Sequence, residues 1–192
     1  MAFSRAALLA ALASLALAAA ASAAPVSYAL DTSASVVGFE TDFGPDRITG
    51  QMPVIRADLS LDFARAANST VAVTLDAARA QASFPFAAQA MRGPKVLDTA
   101  NHPQIAFQST AVKAADDGAW VDGQVTIRGE TRPMVLHATI WRKQGSQTDD
   151  LSHLVIRLTG AVNRSDFGAT GWADMVGDEV RLDILARIAQ VP

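Results

Sequence analysis

The sequence predicts an all-β fold of eight antiparallel strands with one short helical insertion. Apolar residues recur with a period close to two over most of the chain beyond residue 23, which is the strand period. Turn-forming clusters separate the alternating runs at short intervals. One stretch, 84–99, breaks the rhythm.

The first two strands are expected at 34–42 and 47–63, joined by Gly44-Pro45-Asp46. Pro53 interrupts the second and, having no N–H for the ladder, marks a bend or an edge. In a third strand, 70–77, Val71, Val73 and Leu75 alternate with Ala72, Thr74 and Asp76. The insertion follows: Ser83 is the expected helix N-cap ahead of Pro85, with a helix running to about Arg92 and ending at Gly93-Pro94. Strands resume at 104–113, 119–128, 133–142, 152–163 and 178–189. Val121, Gly123, Val125 and Ile127 form the dry face of one, and Val180, Leu182, Ile184 and Ala186 that of the last. Asp116-Asp117-Gly118, Arg128-Gly129-Glu130 and the polar segment Gln144 to Asp150 are the links. Such short links favour antiparallel neighbours. A sandwich of two sheets and a closed barrel would both hide the dry face, and alternation does not choose between them.

Of the 192 residues, 1–23 read as a secretory signal peptide. Arg5 opens it, Ala6 to Ala21 is a run of Ala and Leu with one Ser, and Ala21-Ser22-Ala23 is a small-residue cleavage site. That run is shorter than the roughly 20 residues of a membrane-spanning helix, so no stable membrane insertion is expected. Residues 24–192 form one domain. The signal carries one of the 16 basic residues, leaving 15 against 19 acidic ones and a charge of −4, which gives no reason to seek nucleic acid. With no cysteine, thiol catalysis, thiolate metal sites and thioether-linked haem are excluded. His102, His137 and His153 form no metal-binding spacing, no nucleotide fingerprint or nucleophile elbow is present, and no cofactor or metal is expected.

Four ordered motifs run through the rest. Tyr28-Ala29-Leu30-Asp31 leads to Ser35-Val36-Val37-Gly38-Phe39 and Ile48-Thr49-Gly50. Leu97-Asp98-Thr99 precedes His102-Pro103-Gln104-Ile105-Ala106-Phe107-Gln108-Ser109. Gly123 to Leu136 reads GQVTIRGETRPMVL, and Asn163-Arg164-Ser165-Asp166-Phe167-Gly168 is followed by Val176-Gly177-Asp178-Glu179-Val180. In this order and spacing the chain resembles the YceI-like family of periplasmic isoprenoid- and lipid-binding proteins. It departs from the family pattern at Ala34, Asn163 and Met91-Arg92-Gly93.

The resemblance implies a lipocalin-like eight-stranded antiparallel β-barrel located in the periplasm. It also implies non-catalytic carriage of a long apolar ligand: a polyisoprenoid, an isoprenoid quinone or another long-chain lipid. On that reading the strand residues expected around the ligand are Phe39, Ile105, Phe107, Val125, Ile127, Leu136, Ile156, Leu158, Leu182 and Ile184. Phe84, Phe86, Met91, Leu97 and Phe167 join them from the insertion and a loop, since a helical insertion can cap a barrel mouth. Arg164, Asp166 and Asp178 would form a polar rim for a head group. Turn chemistry is the competing role for those three, with Asp166 bonding nearby amides and Arg164 pairing with a carboxylate. Two other functions stay open beside the carrier: a lipid-modifying enzyme that uses the same cavity, and a surface-binding β-sandwich with Trp120, Trp141 and Trp172 along a groove. A homodimer is also compatible with the sequence.

Overall fold

A computed structural model describes residues 24–141 and 150–192. The segment read as a signal peptide, residues 144–149 of the polar link and the final residue of the 133–142 strand lie outside the described residues.

The predicted strands form, and the first three belong to barrel strands that are broken, two of which extend beyond the expected bounds. The first comprises β1 (Val26–Leu30) and β2 (Val36–Phe43), the second β3 (Asp46–Met52) and β4 (Val54–Leu61), the third β5 (Thr70–Asp76) and β6 (Gln81–Ala82). Five unbroken strands follow: β7 (Gln104–Ala115), β8 (Gly118–Ile127), β9 (Glu130–Trp141), β10 (His153–Asn163) and β11 (Val176–Gln190). All pairings are antiparallel. One edge of β11 pairs with β10. Its other edge pairs with β2, as in Arg181↔Glu40, and then with β1, as in Ile188↔Leu30. That last pairing joins the last described strand to the first. With each broken strand taken as one, the sheet is an eight-stranded up-and-down barrel, which decides against the sandwich. Closure leaves the main wall no open edge.

Each break has a local cause. After β1, the Asp31 carboxylate accepts from the Ser33 amide at 3.0 Å, the Ser33 hydroxyl at 2.6 Å and the Ala34 amide at 3.1 Å, a side-chain-made turn. The expected start at residue 34 therefore omits β1 and its buried Tyr28. Pro53 separates β3 from β4, as the sequence indicated. After β5, Asp76 caps a short 3-10 turn by accepting from the Arg79 amide at 3.1 Å.

Two register shifts alter which residues face inward. Between Val54 and Arg56 the inward set changes from even numbers (Ile48, Met52) to odd (Ala57, Leu59, Leu61). Between Ser109 and Ala111 it changes from Ile105 and Phe107 to Val112 and Ala114. An extra residue in one strand of a period-two ladder has this effect.

The insertion forms α1 (Pro85–Arg92), with Pro85 in the first turn as expected. Its cap differs from the sequence reading. Phe84 occupies the N-cap position in extended conformation, while Ser83 belongs to the sheet edge: its amide donates to the Thr49 carbonyl at 2.7 Å and its hydroxyl accepts from the Thr49 amide at 3.3 Å.

The topology places α1, the 93–103 segment, the β8–β9 turn and the 164–175 loop at one end of the barrel. The 62–69 loop and the described termini sit at the other. That lower end is packed shut around Tyr28, Leu154 and Ile188, with Leu59, Leu61, Phe63 and Ile140 against them. The Phe63 ring meets Tyr28 edge-on at 5.8 Å, and the Tyr28 hydroxyl donates to the Leu151 carbonyl at 3.0 Å.

Candidate ligand-binding cavity

The inward side chains do not fill the barrel. They enclose a cavity of about 750 Å³ that runs from Phe63 near the closed end to Phe86 and Trp172 at the other. Sites for small organic ligands and cofactors range over roughly 300–1,000 Å³. An eight-stranded barrel can be packed solid or hold one small ligand, and here Phe39, Ile156, Leu158, Leu182 and Ile184 stay only half-buried while pointing inward. Each leaves apolar surface for a guest.

Glycines on the inner face help to keep the space open. Phe39 is directly paired with Gly50, and its ring occupies the position a β-carbon would take there. Phe107 lies over Gly123 in the same way, and Leu136 against Gly160. Large side chains thus lie along the wall rather than across the lumen.

Among the described residues two ionisable side chains touch the cavity, and both are held by the fold. Asp62, buried at the closed end, accepts from the Ala64 and Arg65 amides at 3.0 and 2.8 Å and from the Asn68 side chain at 2.8 Å. The Asn68 hydrogen bond, followed by the Arg65 amide, holds its carboxyl below the usual carboxylate range. Arg164, buried near the mouth, donates to the carbonyls of Ala169 and Gly171 at 2.7 Å and of Val176 and Gly177 at 2.9 Å. Thr41 donates to the Gly177 or Glu179 carbonyl. The lumen therefore presents hydrocarbon with almost no free polar group.

Every apolar residue expected around the ligand lines this space. Phe39 comes from β2, Ile105 and Phe107 from β7, Val125 and Ile127 from β8, Leu136 from β9, Ile156 and Leu158 from β10, and Leu182 and Ile184 from β11. Phe84, Phe86 and Met91 approach from α1 and its start, Leu97 and Phe167 from the loops.

The three rim residues are not brought together there. Arg164 points into the loop it organises, and it pairs with four carbonyls rather than the carboxylate expected of it. Asp178 accepts from the Ser165 amide at 2.9 Å and hydroxyl at 2.7 Å. Asp166 borders a separate shallow pocket with Arg132 and Asn163. Turn and loop chemistry is what Arg164 and Asp178 perform.

Other lining residues were not assigned from sequence. Val71, Val73 and Leu75 carry the same alternation as the assigned strands and could have been included. Ile48, Met52, Leu59 and Leu61 are divided by the parity change, and Trp172 and Met175 sit in an irregular loop. Trp120 and Trp141, candidates for a surface groove, are exposed and absent from the lining, and the Trp120 ring lies tilted against His137 with ring centres 4.4 Å apart.

A closed eight-stranded wall around an apolar lumen, broken by one helix at its mouth, can be set beside known proteins. The YceI-like domain matches residues 28–188, nearly all of the described barrel. The chain belongs to the YceI-like family. Among its YceI-like relatives, a UPF0312 protein of Yersinia pestis (strain Pestoides F) is 31% identical over 101 residues, covering 53% of this chain and 52% of that protein. Protein YceI of Salmonella arizonae is 30% identical over 94 residues, 49% of each. The matched stretch spans about half the length of these relatives.

Solved structures agree on the YceI-like fold. Burkholderia cenocepacia BcnA superposes with a TM-score of 0.74 at 21% identity, covering 83% of this chain and 99% of that one. A polyisoprenoid binding domain from Saccharophagus degradans, implicated in plant cell wall breakdown, superposes with a TM-score of 0.62 at 11% identity, covering 86% and 99%. Among the described residues no helix is long and apolar enough to cross a membrane.

Proposed function

We propose that this YceI-like protein carries a long apolar ligand, a polyisoprenoid, an isoprenoid quinone or a fatty-acyl amphiphile, inside its barrel without transforming it. The observation that carries the reading is the 750 Å³ lumen whose walls are hydrocarbon and whose two ionisable side chains among the described residues are bound to the protein's own loops. A lipid-modifying enzyme needs a titratable group free to meet the reacting atoms. Asp62 and Arg164 lie at opposite ends of the cavity, each committed to holding backbone.

Affinity needs no recognition motif. Each buried methylene contributes about 0.8 kcal/mol, so a chain of ten or more carbons offsets the cost of immobilising it. The likeness to a polyisoprenoid binding domain supports the same ligand class. Cleavage after Ala23 and action in the periplasm complete the proposal, since a carrier of water-insoluble chains is useful where an aqueous space separates membranes.

Native mass spectrometry of the purified protein tests it. The expected spectrum contains a complex whose added mass is that of an apolar molecule recoverable by solvent extraction, and the same spectrum reads whether the protein is monomer or dimer. After delipidation, a short-chain ubiquinone or a fluorescent fatty acid should rebind one per barrel. A protein that releases nothing and takes up neither probe would end the carrier reading.

A further inference from the structure

We infer that the open end of the barrel docks on the surface of a lipid bilayer through an apolar lip, and that the ligand passes between bilayer and lumen across this contact. The inference deepens the carrier reading and rests on it.

The lip is formed by Phe84 and Phe86 at the start of α1 and by Trp172 and Met175 in the 168–175 loop. All four line the cavity and all four are exposed, Phe86 by 68%. Hydrocarbon surface therefore continues from the lumen to the outside. A chain leaving the lumen into water would lose its burial there, whereas a bilayer offers it an apolar phase. This continuity sets the lip apart from exposed Trp120 and Trp141, which stand on the outer wall without access to the interior.

The lip is also built, at a cost. Trp172 has φ +55°, a left-handed conformation uncommon for a bulky residue. Its carbonyl accepts from the amides of Met175 at 3.0 Å and Val176 at 2.8 Å, which locks the turn. The loop is tied to its surroundings by the Gly171 amide on the Lys95 carbonyl at 2.9 Å and the Gly44 amide on the Met175 carbonyl at 3.1 Å. A strained backbone that holds an indole half in water is a constraint packing does not require. Tryptophan is the side chain enriched at membrane–water interfaces.

Charge at this end is mixed. The Lys95 ammonium lies 5.9 Å from the Trp172 ring centre, Arg92 ends α1, and Asp174 sits between the two lip residues of the loop. No field of one sign selects an anionic surface, so the contact is apolar and a neutral bilayer suffices.

Cosedimentation with phosphatidylcholine vesicles tests this. The protein is expected to pellet with vesicles, and to do so equally in about 0.1 M and 1 M salt, where charge attraction would be screened. Trp172→Asn removes the indole and places at this position a residue that tolerates φ > 0, so its melting temperature should equal or exceed that of the parent. Its vesicle-bound fraction should fall roughly tenfold, the scale of one large apolar side chain. Trp141→Asn, on the outer wall, should pellet as the parent does. The inference is overturned if the parent stays in the supernatant, if salt abolishes binding, or if Trp172→Asn pellets like Trp141→Asn. Uptake of detergent-dispersed short-chain ubiquinone, measured on the same parent protein, separates the two readings. Uptake without vesicle binding removes the docking alone, and absence of both removes carriage with it.

Discussion

The Phe107 ring lies over Gly123 of the neighbouring strand, in the space that a β-carbon at residue 123 would occupy. A side chain there must drive the ring toward the lumen or push the strands apart. Gly123→Val is therefore expected to cost about 1–3 kcal/mol of stability, the range for overpacking, and to lower uptake of an apolar probe. Adding Phe107→Ala should return part of the stability, because the two residues share one volume and their effects are coupled. Urea melts of the two single variants and the double variant measure this; strict additivity would mean that ring and glycine are independent.

The lumen can be filled without disturbing the wall. Leu158 points inward yet is half-buried, whereas Val125, on the same inner surface, is 4% exposed. Leu158→Trp should fold with a melting temperature near that of the parent and bind apolar probes at least tenfold more weakly, since the indole takes the guest's place. Val125→Trp should instead destabilise the fold, having no free volume to enter. Equal destabilisation by both substitutions would indicate a packed centre.

Strand count, the helix and most of the lining could be read from residue types because alternation reports burial directly wherever one face is dry. The strand holding Val125 and Ile127 and the one holding Leu182 and Ile184 show it without interruption. The signal failed where an added residue switched the inward parity, as between Met52 and Ala57, because each half then alternates correctly by itself but not across the join. It was weakest at β1, where five residues carry too few periods to register. Sandwich or barrel was beyond its reach: the closing pair Leu30↔Ile188 joins residues far apart in the chain, and no local pattern encodes that. The roles of Arg164 and Asp178 were hidden for a related reason. Carbonyls of residues 169–177 converge on the guanidinium only once the loop is folded.

Arg164 should prove a structural residue with a local signature. Its replacement by Leu leaves several carbonyls of the 169–177 loop without their donor, at an expected cost of about 3–5 kcal/mol, the scale for breaking a buried charged network. Lysine should not restore it, since one ammonium cannot reproduce the planar fork that reaches four carbonyls. Hydrogen exchange would show protection lost first at the Gly171, Met175 and Val176 amides. Were Arg164→Lys as stable as the parent, the fork geometry would be irrelevant.

Asp62 gives the fold an acid limit with a predictable sign. Hydrogen bonds from Asn68 and from the Arg65 amide keep its carboxyl below the ordinary range in the folded protein, while in the unfolded chain it titrates near the ordinary value of about 3.9. A group whose folded pKa is the lower one adds stability above the unfolded value and loses it as pH falls through the folded one. Asp31 and Asp183 are shifted in the same direction, by the Ser33 hydroxyl and by Arg157 respectively. The melting temperature should therefore fall steadily below about pH 4, as these carboxylates accept protons. Asp62→Asn should be less stable than the parent near neutrality, because the amide is a weaker acceptor for the 64, 65 and 68 donors at the closed end of the barrel. The gap should shrink as pH falls through the lowered folded pKa, where the parent's own carboxyl takes up its proton and loses the same advantage. A gap that stays constant from neutrality to strong acid would place the effect of residue 62 in packing rather than in charge.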